Sequence, residues 1–407
     1  MKKNNTISTI LLSLTILFIV SCNKTPEKYA NVPAQYHNLI DTAMNIAGTN
    51  SAELQKALDS VPTPQKEGMA FLIAYMPECD LITLSADFLL ENCKYAYQAK
   101  SEFVWAKDIP DSIFFNEVLP YSNLNERRDN WRADFYNRFS KYVKDCKTVE
   151  EAIYAINKHI QNEVNVEYNT KREKADQSPY ESMKINMASC SGLSILLADA
   201  LRSVGIPARV AGVPLWYDES GNHNWVEVWI NGNWYFTEYG TEDSLDNGWV
   251  VAKAGKAEKN SRDGAIYAAS YKPAETSFNL VWDTLNTLGW INAENVSERY
   301  INLAAKQKAE AHIHDHQIKC KVWFLQDKKL GLISDNRIAK QIDIYSVKAA
   351  DEIIDRGVTA DSKRDMNDYL FFILERNSKY LAKYIDASGK TIEVKFTPKD
   401  TLILGNK

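Results

Sequence analysis

The 407-residue chain predicts an α+β fold in three successive parts. A helical domain covers 34–148, a mixed helix-and-strand core covers 149–300, and a C-terminal β-sandwich of Ig-like kind covers 318–407, reached through a connector at 301–317. Three observations carry this division. Apolar residues recur at helical spacing in the first part, helix and strand signals alternate in the second, and short period-two segments between turn residues fill the third.

In the first part, Ser51-Ala52-Glu53-Leu54 opens a helix with Leu54 and Leu58 on one face. Leu81, Leu84, Phe88 and Leu89 mark another, and Trp131, Phe135 and Phe139 recur at i, i+4 and i+8. Pro62, Pro64, Pro77, Pro110 and Pro120 punctuate the region. In the third part, Lys319 to Phe324, Tyr369 to Leu374, Tyr380 to Ile385 and Thr391 to Phe396 read as strands, with Ala387-Ser388-Gly389-Lys390 as a turn.

Ahead of all three parts, Lys2 and Lys3 precede an apolar stretch from Ile10 to Val20. It is too short to span a bilayer as a mature helix and reads as the core of a signal peptide. Ile19-Val20-Ser21-Cys22 is similar to a bacterial lipobox. Residues 1–21 are therefore expected to be removed, leaving a lipidated Cys22 and a polar tether over 22–33. The expectation is an exported protein, periplasmic or at the cell surface, held on a bacterial membrane by its lipid alone.

Composition narrows the function. Lys and Arg total 48 against 53 Asp and Glu, a net charge of −5, and no basic tract stands out. That balance argues against nucleic acid as a partner. No Gly-rich phosphate loop and no Ser-hydrolase motif occurs, and nothing calls for a cofactor. After Cys22 the cysteines are Cys79, Cys93, Cys146, Cys190 and Cys320, an odd number that leaves at least one thiol unpaired. Cys79 and Cys93 are within reach of a bridge, with burial as small apolar side chains the default. His312, His314 and His316 alternate in a way that suits zinc, but a polar entry into the sandwich is the expected role, and no metal is assigned.

The chemistry concentrates between 186 and 242. Leu193, Leu196, Leu197, Ala200, Leu201 and Val204 form one apolar stripe, ended by Gly205 and Pro207. Cys190 thus stands at a helix N-terminus, where the macrodipole and free N–H groups favour a thiolate and suit an oxyanion. Ala208 to Val213 reads as a strand. His223 to Ile230 alternates into Asn231-Gly232, a type I′ hairpin signal, and Asn233 to Glu238 returns. With that loop, Trp229 opposes Trp234 and Trp225 opposes Glu238, so His223 and Glu238 are diagonal neighbours on one face. A carboxylate there would orient the imidazole as a general base requires. Glu242 is a rival if the strand continues. Asn186 and Gln177 are weaker candidates for a second oxyanion donor, Arg209 is expected to brace the structure, and Trp216, Trp225, Trp229 and Trp234 to fill the core with one or two lining a groove.

Ala188-Ser189-Cys190-Ser191-Gly192, Leu201 to Arg209 and His223 to Trp229 followed by Trp234 resemble the transglutaminase-like superfamily, a papain-related group that uses Cys, His and Asp in that order. The resemblance covers about 150–290. It implies Cys190 as nucleophile and His223 as base, with Glu238 at the position of the superfamily's Asp. The implied activity is hydrolysis of a peptide, protein or glycopeptide amide through an acyl-enzyme. Protein cross-linking by acyl transfer to an amine, or a catalytically silent binding scaffold, are the alternatives.

Overall fold

The computed structural model describes residues 28–241, 244–310, 316–364 and 368–405. The leader with Cys22, and Glu242, His312 and His314, lie outside the described residues. Among the described residues no helix is long and apolar enough to cross a membrane.

Among the described residues six helices of nine or more residues, His37–Ala47, Ser51–Ser60, Lys66–Ala74, Ala86–Glu102, Arg132–Val143 and Val149–Val164, precede the helix Cys190–Ser203, which leads into the first wide sheet. Leu81 and Leu84 do not share the helix of Phe88 and Leu89. Pro77 starts a separate turn at Glu78–Leu81, and the Ser85 hydroxyl accepts from the Phe88 N–H to cap the next helix. The following helix, Pro179–Ile185, has a full capping box between Ser178 and Glu181.

The sheet has six strands: β1 Ala208–Val213, β2 His223–Ile230, β3 Asn233–Thr237, β4 Tyr267–Ala269, β5 Thr276–Ser277 and β6 Asn292–Asn295, in the order β3-β2-β1-β4-β6-β5. Asn231 and Gly232 both have positive φ, 49° and 95°, as the type I′ turn requires. The hairpin pairs Ile230 with Asn233 and Trp229 with Trp234, the register that the turn dictates.

One face of this sheet packs on the helix Cys190–Ser203 and shares a single hydrophobic core with the N-terminal helices, from Ile40 through Phe139 and Ile156 to Leu197, Val210 and Val226. The other face carries a second cluster of Trp216, Trp225, Phe236, Trp249 and Tyr300.

Two buried guanidiniums lock the first cluster. Arg132 donates to the carbonyls of Val118, Leu119, Pro120 and Arg202, and Arg202 to those of Glu117, Ala208 and Ser122. The chain from 117 to 122 runs through a wide helical turn and then a loop. Its carbonyls take side-chain donors in place of ladder partners. Burial pushes both arginines below their ordinary range and lifts the carboxyls of Asp199 and Glu117.

The C-terminal part has seven strands: β7 Gln317–Leu325, β8 Gln341–Ser346, β9 Ala349–Val358, β10 Leu370–Glu375, β11 Tyr380–Ile385, β12 Thr391–Phe396 and β13 Thr401–Gly405. They form sheets in the orders β9-β8-β11-β12 and β10-β7-β13. Cys320, Val322 and Phe324 of one sheet and Ile342, Ile344 and Tyr384 of the other close a common core. The pairing is antiparallel except between β13 and β7. Strands β7, β10, β11 and β12 match the four segments read from sequence, and β8, β9 and β13 are additions to them.

Candidate active site

Ser189 caps the helix that Cys190 begins: its hydroxyl accepts from the Gly192 N–H at 3.1 Å and donates to the Ala175 carbonyl at 2.5 Å. Cys190 is the first helical residue, partly buried and a free thiol. Its own N–H is one of the orphan donors of the helix start.

His223 begins β2 and is 2% exposed. Its Nε2 lies 2.6 Å from Glu238 Oε1, one diagonal step beyond the last hairpin pair, Val226 with Thr237. A carboxylate only accepts, so this contact fixes the tautomer with the proton on Nε2. Three indoles hold the ring: Trp249 at 4.9 Å between centroids, Trp225 at 5.9 Å and Trp216 at 6.4 Å.

The residues following the Cys and the His are tied together. Asn224 Nδ2 donates to Ser191 Oγ at 2.8 Å, linking β2 to the helix. The tie depends on Gly212, opposite Asn224 in β1, because a Cβ there would collide with the Asn224 side chain.

Cys190 stands where two clefts meet. One, of about 750 Å³, also holds His223, Glu238, Tyr239 and Trp249; the other, of about 250 Å³, holds Arg172, Asn222 and Trp282. Sequence spacing therefore brings Cys190, His223 and Glu238 to one place. A separate hollow of mixed lining, about 330 Å³ around Tyr75, Asn123 and Trp290, lies apart from them.

Other candidates fall elsewhere. The Gln177 amide donates to the Met187 carbonyl at 2.9 Å, 1% exposed, and Gln177 lines neither cleft. Asn186 ends its helix at φ 57° and donates to the Asn165 carbonyl. Both are spent on holding the chain around the Cys. Arg209 is the expected brace: it bonds Glu227 and Glu294 at 2.8 Å each and lies 3.9 Å from the Trp234 ring. Trp225 lines the larger cleft, while Trp216 is buried behind it. Cys79 and Cys93 are free thiols, the second buried and pushed up to about 12 by that burial. His316 faces Glu375 at 3.4 Å.

Sequence reasoning placed no residue of the C-terminal sandwich at the site. Lys363, Arg364, Asp368 and Phe371 wall the larger cleft. Two ion pairs tie the sandwich to the core beside Cys190, Lys363 to Glu167 at 3.1 Å and Lys171 to Asp335 at 2.9 Å. No periodicity signals such a contact, since the partners are nearly 200 residues apart in one case.

A solved structure of a "Putative Cysteine Protease" from Cytophaga hutchinsonii is 20% identical, over 46% of this chain and 64% of that one, with a TM-score of 0.27. The chain thus spans a little under two thirds of that protein's length. No curated protein matches the chain. Residues 137–252 match the model of the transglutaminase-like superfamily, a family of thiol-dependent enzymes, and the match encloses the Cys190 helix and the His223 hairpin: this part of the protein is a transglutaminase-like core.

Proposed function

We propose that the protein is a thiol-dependent amide hydrolase, of cysteine peptidase or glycopeptide amidase type, with Cys190 as nucleophile, His223 as base and Glu238 as the group that orients the ring. The observation that carries this is the Cys190–His223–Glu238 convergence in one open cleft, with the 2.6 Å imidazole–carboxylate contact.

Glu238 engages Nε2, so proton exchange with the thiol runs through Nδ1. The thiol proton passes to His223 as Sγ attacks the amide carbonyl carbon, and the tetrahedral oxyanion forms at the helix start beside the Cys190 N–H. Collapse breaks the C–N bond, with His223 returning its proton to the leaving amine. The acyl-thioester is then attacked by water, activated by the same imidazole, which releases the acid and the thiol. Glu227, further along the same face of β2, takes no part. It is fully buried and held by Arg209, Arg299 and Tyr300.

Screening peptide, glycopeptide and peptidoglycan-derived amides tests this, with intact mass as a second readout. An acyl adduct on wild-type protein that is absent from Cys190→Ala is expected, with turnover falling about a millionfold in that variant. Added methylamine distinguishes the fate of the acyl group: free acid is the expected product, and an N-methyl amide as the main product would make the protein a transamidase. No adduct with any amide class, together with tight binding of one of them, would leave a binding scaffold.

We also propose that Cys22 anchors the protein in a bacterial membrane. Membrane retention of a Cys22→Ser variant, with no acyl mass lost, would overturn it.

A further inference from the structure

The C-terminal sandwich reaches the imidazole through a line of aromatic rings. Tyr369, immediately before β10, packs against Trp323 of β7 at 5.7 Å between centroids, and its other side packs against Trp249 at 6.2 Å. Lys321 lies 4.8 Å from the Tyr369 ring centroid and adds a cation–π contact. Trp249 is the first residue of the helix Trp249–Ala254 and the nearest of the three indoles to His223, 4.9 Å away at 51°. Gly248 ahead of it has φ 118° and no side-chain cap is present, so the start of this six-residue helix has little local support. Its position must come from packing, on the helix Ser297–Glu310 on one side and on Tyr369 on the other.

From this geometry we infer that Tyr369 is a positioning residue for the base: it holds Trp249 in the place that keeps the His223 ring aligned between Glu238 and Cys190. The sandwich is then a working part of the active site. This rests on the thiol-enzyme reading above. Removing the ring leaves Trp249 free to tilt toward the vacated space, and the imidazole loses its closest wall while its bond to Glu238 persists. A small misalignment suffices, because proton transfer and thiol activation depend steeply on geometry. The other charged and titratable groups facing this line are Glu238 at the imidazole, Tyr217, Asp218 and Asp368 around Tyr369, and Lys253 over Trp216. All are left in place by the substitutions below.

The test uses the full chain and needs no substrate. Iodoacetamide labelling of Cys190, followed by peptide mass mapping across pH, reads the coupling of thiol and imidazole, and Cys79 in the same sample is an internal exposed-thiol reference. Tyr369→Ala is expected to slow Cys190 labelling at neutral pH about tenfold and to move its pH profile toward that of Cys79. Tyr369→Phe, which keeps the ring, should restore the wild-type profile. Tyr369→Leu keeps apolar volume without the ring's shape and serves if the alanine variant does not fold; it should behave as the alanine variant does. A folded Ala or Leu variant with the wild-type profile would overturn the inference, as would a Phe variant as impaired as Ala. If wild-type Cys190 itself labels no differently from Cys79, the thiol-enzyme reading fails and takes this inference with it.

Discussion

The two ends of the helix Cys190–Ser203 are built for opposite purposes. At its start, Cys190 is partly buried and opens onto two clefts. At its far end, Asp199 and Arg202 are buried in a polar network with Arg132, Asn123 and the carbonyls of 117–122. A reactive thiol needs access and an unspent N–H beside it. A helix that must hold that thiol to within a fraction of an ångström needs an anchor that does not move. The chain separates the two demands by about three turns of helix. Substitutions at the open end are therefore expected to change reactivity with little change in stability, and those at the anchored end the reverse.

Three substitutions would sharpen or break that contrast. Glu238→Gln keeps size and hydrogen bonding while removing charge, and is expected to lower kcat roughly a thousandfold with an unchanged melting temperature. Glu242→Gln is its control and should be near wild type. If Glu242→Gln were the inactive variant, the imidazole would have another partner in solution. Arg202→Met is next. It strips the donors from the Glu117, Ser122 and Ala208 carbonyls and leaves Asp199 with Arg132 as its remaining nearby cation, and about 3 kcal/mol or more should be lost in guanidinium unfolding. A stable Arg202→Met protein with a slow Cys190 would reverse the assignment of the two ends. Gly212→Ala is the mildest. The added Cβ displaces Asn224, which breaks its bond to Ser191, and presses on the His223 carbonyl, at about 1–3 kcal/mol of overpacking. Because that bond joins the residues after His223 and Cys190, turnover should fall further than stability alone explains. Comparing kcat with the unfolding midpoint checks it.

Much of the site was legible because it is local. Ser189 before an apolar stripe sets the helix start at Cys190, and Asn231-Gly232 allows one hairpin register, which delivers Glu238 to His223. The oxyanion candidates were not legible. An amide side chain near a Cys has the same composition whether it points into a cleft or, like Gln177, bonds a carbonyl behind it. The Leu81 and Leu84 assignment failed where Pro77 and Ser85 cut an apolar series into two elements, since a turn and a helix can share spacing over so short a stretch.

What the sequence by itself determined is thus the pair of chemically distinct side chains and the elements that carry them, because caps, type I′ turns and periodicity act over a few residues. Tertiary structure decided what surrounds them: the three indoles around the imidazole, the guanidiniums under the helix, and the sandwich residues that wall the cleft. Those contacts join segments tens to hundreds of residues apart. They follow from how buried faces fit together once the elements exist, and burial in a shared core leaves no repeating trace along the chain.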